Sequence, residues 1–508
     1  MWEGEGAPDL TGFPEAMPGV SSRLTHDRHV GVFIGDSRPD AVAAVKRALM
    51  QKFEEKARLI SRLAVLTDPQ VKFQLLRSCA STRPGFWLRT MGPNITGEAS
   101  EWYDSQLRSC MSDMFGELSD EAWALATLPT YLGGRGVVSA VQSRHAAHTA
   151  SWYAAFHNIS RCFPSAVTVT PANIATSSLP FAVSLRAAHS RCAASLTTVT
   201  DNVNGLPLPP GVPSQPSVPE LSDLNVRLPG AQKRIAVVVN SARWMGVFDS
   251  ASVPLRARLL SMCKQGAMSA LSAVPSPHFG QLLPLAFITA MQMSLRLPLS
   301  LLRGLHRCTC GKLVDAYGDH VLSCHNFLEK KTPGHNLVEG VVGSLARAAG
   351  YDVSHDSRRP HQGHRAYSPH WRPDLTCLFG TPDHTHILID ITCPTVVSSD
   401  AAPVAAVDPD ALGVALAAGK RRTYGNVAPH VVLPFVLDDS GGLGKEAWAF
   451  LLKCRDRAEG QLGAAEFSKL DWSCQAFTSF YLRSLSLASV RGWGHFFMTV
   501  ASILRGAA

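Results

Sequence analysis

The sequence predicts a mostly α-helical amino-terminal region, a small cysteine and histidine knuckle, and a carboxyl-terminal α/β domain. Three observations carry that reading. Apolar residues recur at helical spacing over residues 37–160; Cys308, Cys310, His320 and Cys324 form a C-x-C-x9-H-x3-C array; and helix and strand patterns alternate over residues 335–460.

In chain order, the segments 41–66, 71–79 and 101–118 each read as a helix with one apolar face. His145 and His148 fall in this region as helix-surface residues rather than ligands. Gly133-Gly134-Arg135-Gly136 lacks the preceding strand and the spacing of a dinucleotide-binding turn. Residues 163–230 change character: Pro207, Pro209, Pro210, Pro213, Pro216, Pro219 and Pro229 stand among Ser, Thr and Val, which predicts a mobile linker. A second helical block covers 231–303 and leads into the knuckle at 304–330.

The knuckle concentrates four ligands in seventeen residues. Thiolate and imidazole donors of this kind suit tetrahedral, structural Zn²⁺; the alternative is a set of reduced core cysteines near an unrelated histidine. Gly318-Asp319 reads as a turn that aims His320 inward, with Asp315 or Asp319 in the outer shell. The nine other cysteines are scattered singly, which favours a reducing compartment over a disulfide framework.

Two carboxylates follow. Asp374 opens the apolar run Leu375-Thr376-Cys377-Leu378-Phe379, and Asp390 sits within Ile387-Leu388-Ile389-Asp390-Ile391-Thr392. Gly380, Pro382 and Asp383 between them supply turn chemistry. A hairpin symmetric about Pro382 sets Asp374 and Asp390 opposite one another on one face, roughly 5 Å apart at Cβ. Like charges that close ask for a cation or a shared proton, and hard oxygen donors suit Mg²⁺ or Mn²⁺. Such an ion activates water for phosphate hydrolysis, so the pair points to a nucleic-acid nuclease. The alternative is that Asp374 caps a strand and Asp390 is a solvated edge residue.

Downstream, Asp408 reads as an N-cap and Pro409 as the first residue of a helix whose apolar face holds Leu412, Ala415, Leu416 and Gly419. Lys420 and Tyr424 lie one turn apart on it and project together. Lys420 is either a residue that holds water or phosphate, or an ordinary surface lysine beside Arg421 and Arg422. A strand at 431–437, a helix at 445–457 and a helical tail at 472–504 complete the pattern. Between the knuckle and the carboxylates, His355, His361, His364 and His370 with Arg358, Arg359 and Arg365 make a loop that either contacts phosphate or is simply solvated.

The succession Cys308-Thr-Cys310-Gly311, Tyr317-Gly-Asp-His320, Cys324, His335-Asn336, Arg372-Pro373-Asp374, Asp390-Ile-Thr392, then Lys420 and Tyr424 resembles the carboxyl-terminal region of non-LTR retrotransposon polyproteins. These carry a CCHC zinc motif and a restriction-like endonuclease of the PD-(D/E)xK group. The resemblance is strong over about 300–450 and thin elsewhere, through Gly133-Gly134-Arg135-Gly136, Leu295-Arg296-Leu297-Pro298 and Gly441-Gly442-Leu443-Gly444.

It implies that 331–460 is a restriction-endonuclease-like α/β domain with a central mixed sheet flanked by helices, that 1–162 is a helical thumb-like remnant after a missing reverse-transcriptase palm, and that 461–508 is a helical tail. It further implies Asp374 and Asp390 as ligands of a catalytic Mg²⁺ or Mn²⁺, with Glu339 a candidate third acid. The usual motif lysine is replaced by Thr392 and displaced onto the next helix as Lys420, beside Tyr424. His335, Asn336, Arg372, Arg358 and Arg359 are the implied DNA contacts. Gly334 stands where the family usually has arginine.

The implied reaction is nicking of double-stranded DNA in the nucleus, with the element's RNA a possible further partner. No Tyr/Phe-x-Asp-Asp pair is present, and Asp438-Asp439 lies beyond the nuclease residues, so no polymerase activity is expected. The alternative from another class is a non-catalytic zinc-containing nucleic-acid-binding protein or an inactive relic of the element. The 508-residue length suggests roughly two to four domains. A net charge of +8 suits nucleic acid and is also ordinary at this length. No apolar run is long enough to span a bilayer, and the acidic start Met1-Trp-Glu-Gly-Glu-Gly lacks a signal-peptide core.

Overall fold

The computed structural model describes residues 26–29, 32–35, 39–162, 170–202, 205–209, 212–226, 228, 230–276, 279–355, 373–378, 386–425, 430–458, 474 and 476–506. These residues are mostly helical, with a small four-stranded mixed sheet toward the carboxyl end. None of their helices is long and apolar enough to cross a membrane.

A short antiparallel hairpin, β1 (His26–His29) and β2 (Val32–Gly35), precedes a helical body. That body begins with α1 (Pro39–Leu63), α2 (Pro69–Leu75), α3 (Gly85–Thr90), α4 (Pro93–Phe115), α5 (Asp120–Thr127) and α6 (Ala140–Cys162). In α1 the buried stripe Val45, Leu49, Phe53, Ala57 and Ile60 recurs at three or four residues, so one face packs on α4 and Phe53 meets Tyr103 edge-on at 5.7 Å. Asp68 caps α2 by accepting the amides of Gln70 and Val71, and Ser119 caps α5 through the Ala122 amide. His148 is buried rather than on the surface: it accepts a hydrogen bond from Trp152 Nε1, and burial pushes its pKa down to about 4.

The expected linker at 163–230 is instead largely part of the packed body. Within it α7 (Pro180–Asp201) buries Ala182, Leu185, Ala188 and Cys192 between α6 and α8 (Ala231–Ser250), while 163–169 fall outside the described residues. Of the prolines after α7, Pro210 and Pro229 lie outside the described residues; a proline among the others still offers its carbonyl, and that of Pro219 accepts from Tyr153 at 2.6 Å. Helices α9 (Val253–Met262) and α10 (Pro284–Ser294) complete the body.

The carboxyl-terminal elements are α11 (Asp319–Ser323), α12 (Thr332–Ala348), β3 (Asp352–His355), β4 (Leu375–Leu378), β5 (His386–Thr392), α13 (Ala402–Ala405), α14 (Ala411–Tyr424), β6 (Val431–Val436), α15 (Lys445–Ala458) and α16 (Phe477–Gly506). The sheet order is β3-β4-β5-β6, with antiparallel pairing in the first two ladders and parallel pairing in the last. A parallel neighbour needs a crossover, which α13 and α14 provide. Leu375, Cys377, Ile389, Ile391 and Phe435 face α12, α15 and α16, and the opposite face sets Leu388 against Tyr424 of α14. Burial on both faces explains why these strands read as unbroken apolar runs.

The tail expected at 461–508 is a structural spine. Helix α16 is 30 residues long and contributes Leu487 and Val490 to the helical body, Phe477, Tyr481 and Leu485 to the sheet's core, and Phe496, Phe497 and Val500 to the knuckle's core. Where it crosses α12, Gly334 meets Gly492: a Cβ on Gly492 would lie 2.6 Å from the Gly334 Cα, and a Cβ on Gly334 would lie 3.0 Å from the Gly492 Cα. Glycine at 334 is therefore a requirement of helix packing in this chain. Gly334→Arg is expected to lower stability by about 1–3 kcal/mol through overpacking, read as a fall in the urea midpoint; an unchanged midpoint would remove this account of Gly334.

Candidate functional site

The knuckle is built from two turns. Arg307 and Leu313 form an antiparallel bridge around Cys308-Thr309-Cys310-Gly311, closed by Cys308 N–H donating to Lys312 O at 2.8 Å, with Gly311 at φ +84°. Left-handed Gly318, φ +78°, then starts α11, which carries His320 and delivers Cys324 at its end. Asp315 fixes this second turn, accepting the amides of Tyr317, Asp319 and His320 at 2.9, 3.1 and 2.7 Å. Of the two expected outer-shell acids, Asp315 thus holds the backbone of His320. Asp319 instead forms a bidentate pair with Arg296, at 2.8 and 2.6 Å.

The four ligand atoms converge. Cys308 Sγ lies 3.6 Å from Cys324 Sγ, Cys310 Sγ lies 3.3 Å from His320 Nε2, and all four atoms lie within 4.8 Å of one another. Tetrahedral Zn²⁺ with Zn–S of about 2.3 Å and Zn–N of about 2.0–2.1 Å requires ligand separations of about 3.6–3.8 Å. The Cys3His group fits such an ion. The Lys312 amide also lowers the pKa of the Cys310 thiol, toward the thiolate that binds metal.

The carboxylates sit on the sheet. The ladder from Leu375↔Ile389 to Leu378↔His386 is symmetric about residue 382, the register expected from the turn chemistry, and it brings Asp374 across from Asp390 just beyond β4. The turn itself, 379–385, lies outside the described residues. Asp390 is buried on the α14 side, where Lys420 Nζ lies 2.7 Å from Oδ1 and Tyr424 donates its hydroxyl to Oδ2 at 3.0 Å. Burial, reinforced by the Asp390 charge, raises the Tyr424 pKa well above the usual phenol range, so the hydroxyl stays a donor.

Asp374 accepts the Ile391 amide at 2.6 Å and lies 3.4 Å from His335 Nε2 on α12. That hydrogen bond raises the His335 pKa and favours the imidazolium beside Asp374. Helix α14 starts at Ala411, later than expected, because Asp408 accepts the Asp410 amide at 2.9 Å and closes a turn through Pro409.

Other expected site residues do not join this group. Glu339 pairs with His355 Nδ1 at 3.0 Å, and Arg347 occupies the other ring nitrogen. Among the described residues the Cys3His group is the one set of three or more metal-type ligands drawn within 4.8 Å, so Glu339 does not complete a three-acid cluster with Asp374 and Asp390. Asn336 is exposed on α12 next to His335, while Arg358, Arg359 and Arg372 lie outside the described residues. The sequence did not reveal the His335–Asp374 contact, and it left open which of Asp315 and Asp319 supports His320. The Asp-x-Tyr-Gly-Asp-His spacing carried the second signal, since an aspartate two residues before an amide commonly closes such a turn. No protein-family model and no curated protein matches this chain.

Proposed function

We propose that this chain carries a metal-dependent DNA endonuclease of the restriction-like type, derived from a retrotransposon polyprotein. The observation that carries this reading is Asp390 held between Lys420 and Tyr424, across the hairpin from Asp374. A mixed sheet with helices on both faces and a Cys3His group on its amino-terminal side agree with it.

The donor set fits a hard cation, since Asp374 and Asp390 offer carboxylate oxygens from adjacent strands. A divalent ion held by them supplies water activation and neutralisation of the charge that builds on the phosphate. Lys420 compensates Asp390 at 2.7 Å, and with a cation on the carboxylate its ammonium would be available to hold the scissile phosphate or orient the attacking water. Tyr424 fixes the second Asp390 oxygen and so orients the carboxylate. His335, whose pKa the Asp374 carboxylate raises, gains positive charge more readily where a DNA strand approaches. Double-stranded DNA is the proposed substrate, and its chromosomal location makes the site of action nuclear.

The pairing of Glu339 with His355 favours a second reading, a non-catalytic zinc-containing nucleic-acid-binding protein. One assay separates the two. Supercoiled plasmid is expected to be nicked in Mg²⁺ but not without it, and Asp374→Ala and Asp390→Ala should each reduce nicking about a hundredfold or more. Zinc-loaded, folded protein that binds DNA yet never nicks it in Mg²⁺ or Mn²⁺ would leave the second reading.

A further inference from the structure

A cleft of about 450 Å³ has neither Asp374 nor Asp390 in its lining. It lies between the π-helical turn Leu76–Ala80, the segment 130–135, residues 263–272 after α9, and Ser479 to Arg483 on α16. Arg77, Arg135, Lys264 and Arg483 line it, and among the described residues no Asp or Glu does. Single-turn π segments are rare and recur at functional sites.

The local sequence builds the cleft's wall. Gly133 and Gly136 adopt φ of +74° and +71°, and a Cβ on Gly134 would lie 2.0 Å from the Leu128 carbonyl oxygen. Only glycines permit this tight turn, which carries Arg135 into the interior, 4% exposed. The Arg135 guanidinium donates to the Gly133 carbonyl and touches Met262 Sδ at 3.6 Å, but its buried Nε has no partner.

Among the described residues neither Arg77 nor Arg135 has an ion pair. Burial and then the neighbouring Arg77 push the Arg135 pKa down to about 9, and burial and then Arg483 lower that of Arg77. Lys264 differs, being compensated by Asp438 at 3.4 Å and Asp410 at 3.7 Å. Uncompensated guanidiniums gathered in a partly buried cleft cost free energy that a bound anion recovers.

We propose that this cleft is a phosphate-binding site, in which Arg77, Arg135 and Arg483 hold the phosphate of a nucleic-acid strand or a free phosphate. Guanidinium forks match tetrahedral phosphate oxygens, and several lining one cleft suit that ligand better than a single carboxylate. Tyr131, also in the lining and half-exposed, presents a ring on which a base can stack, which favours the strand as the source. The strand source rests on the nucleic-acid reading above; the phosphate chemistry does not.

The test uses the full chain with no added divalent ion. A short fluorescein-labelled single strand is titrated by anisotropy against wild type, Arg77→Gln, Arg135→Met and Asp390→Ala, and inorganic pyrophosphate is titrated by thermal shift. Arg77→Gln and Arg135→Met are expected to weaken strand binding about tenfold or more, and to reduce the salt slope by about 0.7 for each phosphate that is no longer neutralised. Pyrophosphate should raise the Tm of wild type and not of Arg77→Gln.

Unchanged strand binding with a lost pyrophosphate shift assigns the site to free phosphate. No pyrophosphate shift in wild type, together with equal strand affinity in Arg77→Gln, overturns the proposal. Arg77 is only half-buried, so its variant keeps the test decisive if Arg135→Met does not fold. Asp390→Ala reports on the nuclease reading separately, through loss of plasmid nicking in Mg²⁺.

Discussion

Cys324→Ser is expected to abolish stoichiometric zinc binding and to destabilise the chain by at least about 3 kcal/mol, because a structural zinc site contributes its binding free energy directly to folding. The effect is large because little else orders this segment. Between Leu305 and Lys331 the regular structure is a five-residue helix, a seven-residue 3-10 segment and one isolated bridge, joined by short turns and the Asp315 hydrogen bonds. Cys308 and Cys324 are buried with Val321, Leu322 and Phe327 against Phe496 and Phe497 of α16. Loss of the ion therefore loosens the end of the spine as well as the knuckle. Metal content by elemental analysis and the thermal midpoint check this together. Cys192→Ser, on α7 and buried against α6 and α8, is the control that should keep its zinc. A Cys324→Ser protein that retains one zinc with an unchanged midpoint would show that these four residues are not the ligand set.

What was legible in the sequence follows from how local each signal is. The knuckle was readable because its ligands and both turn glycines lie within seventeen residues. The hairpin register was readable because turn chemistry fixes the pairing of the strands it joins, and Leu375↔Ile389 has the expected symmetry. The Lys420 and Tyr424 pair followed from helical spacing, and both reach Asp390. Asp408 misled because an aspartate before Pro409 suits a turn as well as an N-cap, and only the later start of α14 distinguishes them.

Residues 180–201 were misread because the proline run after them dominates the composition, while their apolar stripe of Ala, Leu and Cys is weak and needs α6 and α8 to bury it. The close approach of Gly334 to Gly492 joins positions far apart in sequence, and no local pattern reports it. The arginine cleft was hidden for the same reason, since its charges come from four distant segments.

Arg258→Met is expected to destabilise the protein by about 3–5 kcal/mol, the range for a buried charge left without its partner. Arg258 is 2% exposed; its Nη1 donates to the Met293 carbonyl at 2.9 Å, while Nη2 lies 3.7 Å from Asp439 Oδ2 and 4.0 Å from Asp319 Oδ1. One side chain on α9 thus ties the loop after β6 to the start of α11, and Thr395 donates to Asp439 at 2.8 Å from the loop after β5. Asp438 is bound in the same way by Lys264. Asp438-Asp439 is therefore a structural joint between the helical body and the sheet, which accounts for a paired aspartate outside any polymerase motif.

If the cost of Arg258→Met comes from stranding Asp439, Arg258→Met/Asp439→Asn should recover part of it. Urea midpoints of wild type, both single variants and the double variant give the coupling. A coupling of about 1 kcal/mol or more is expected for residues sharing such a network. Additive losses would mean that Arg258 stabilises mainly through the Met293 carbonyl and its packing, and that the aspartate pair is held by Lys264 and Thr395.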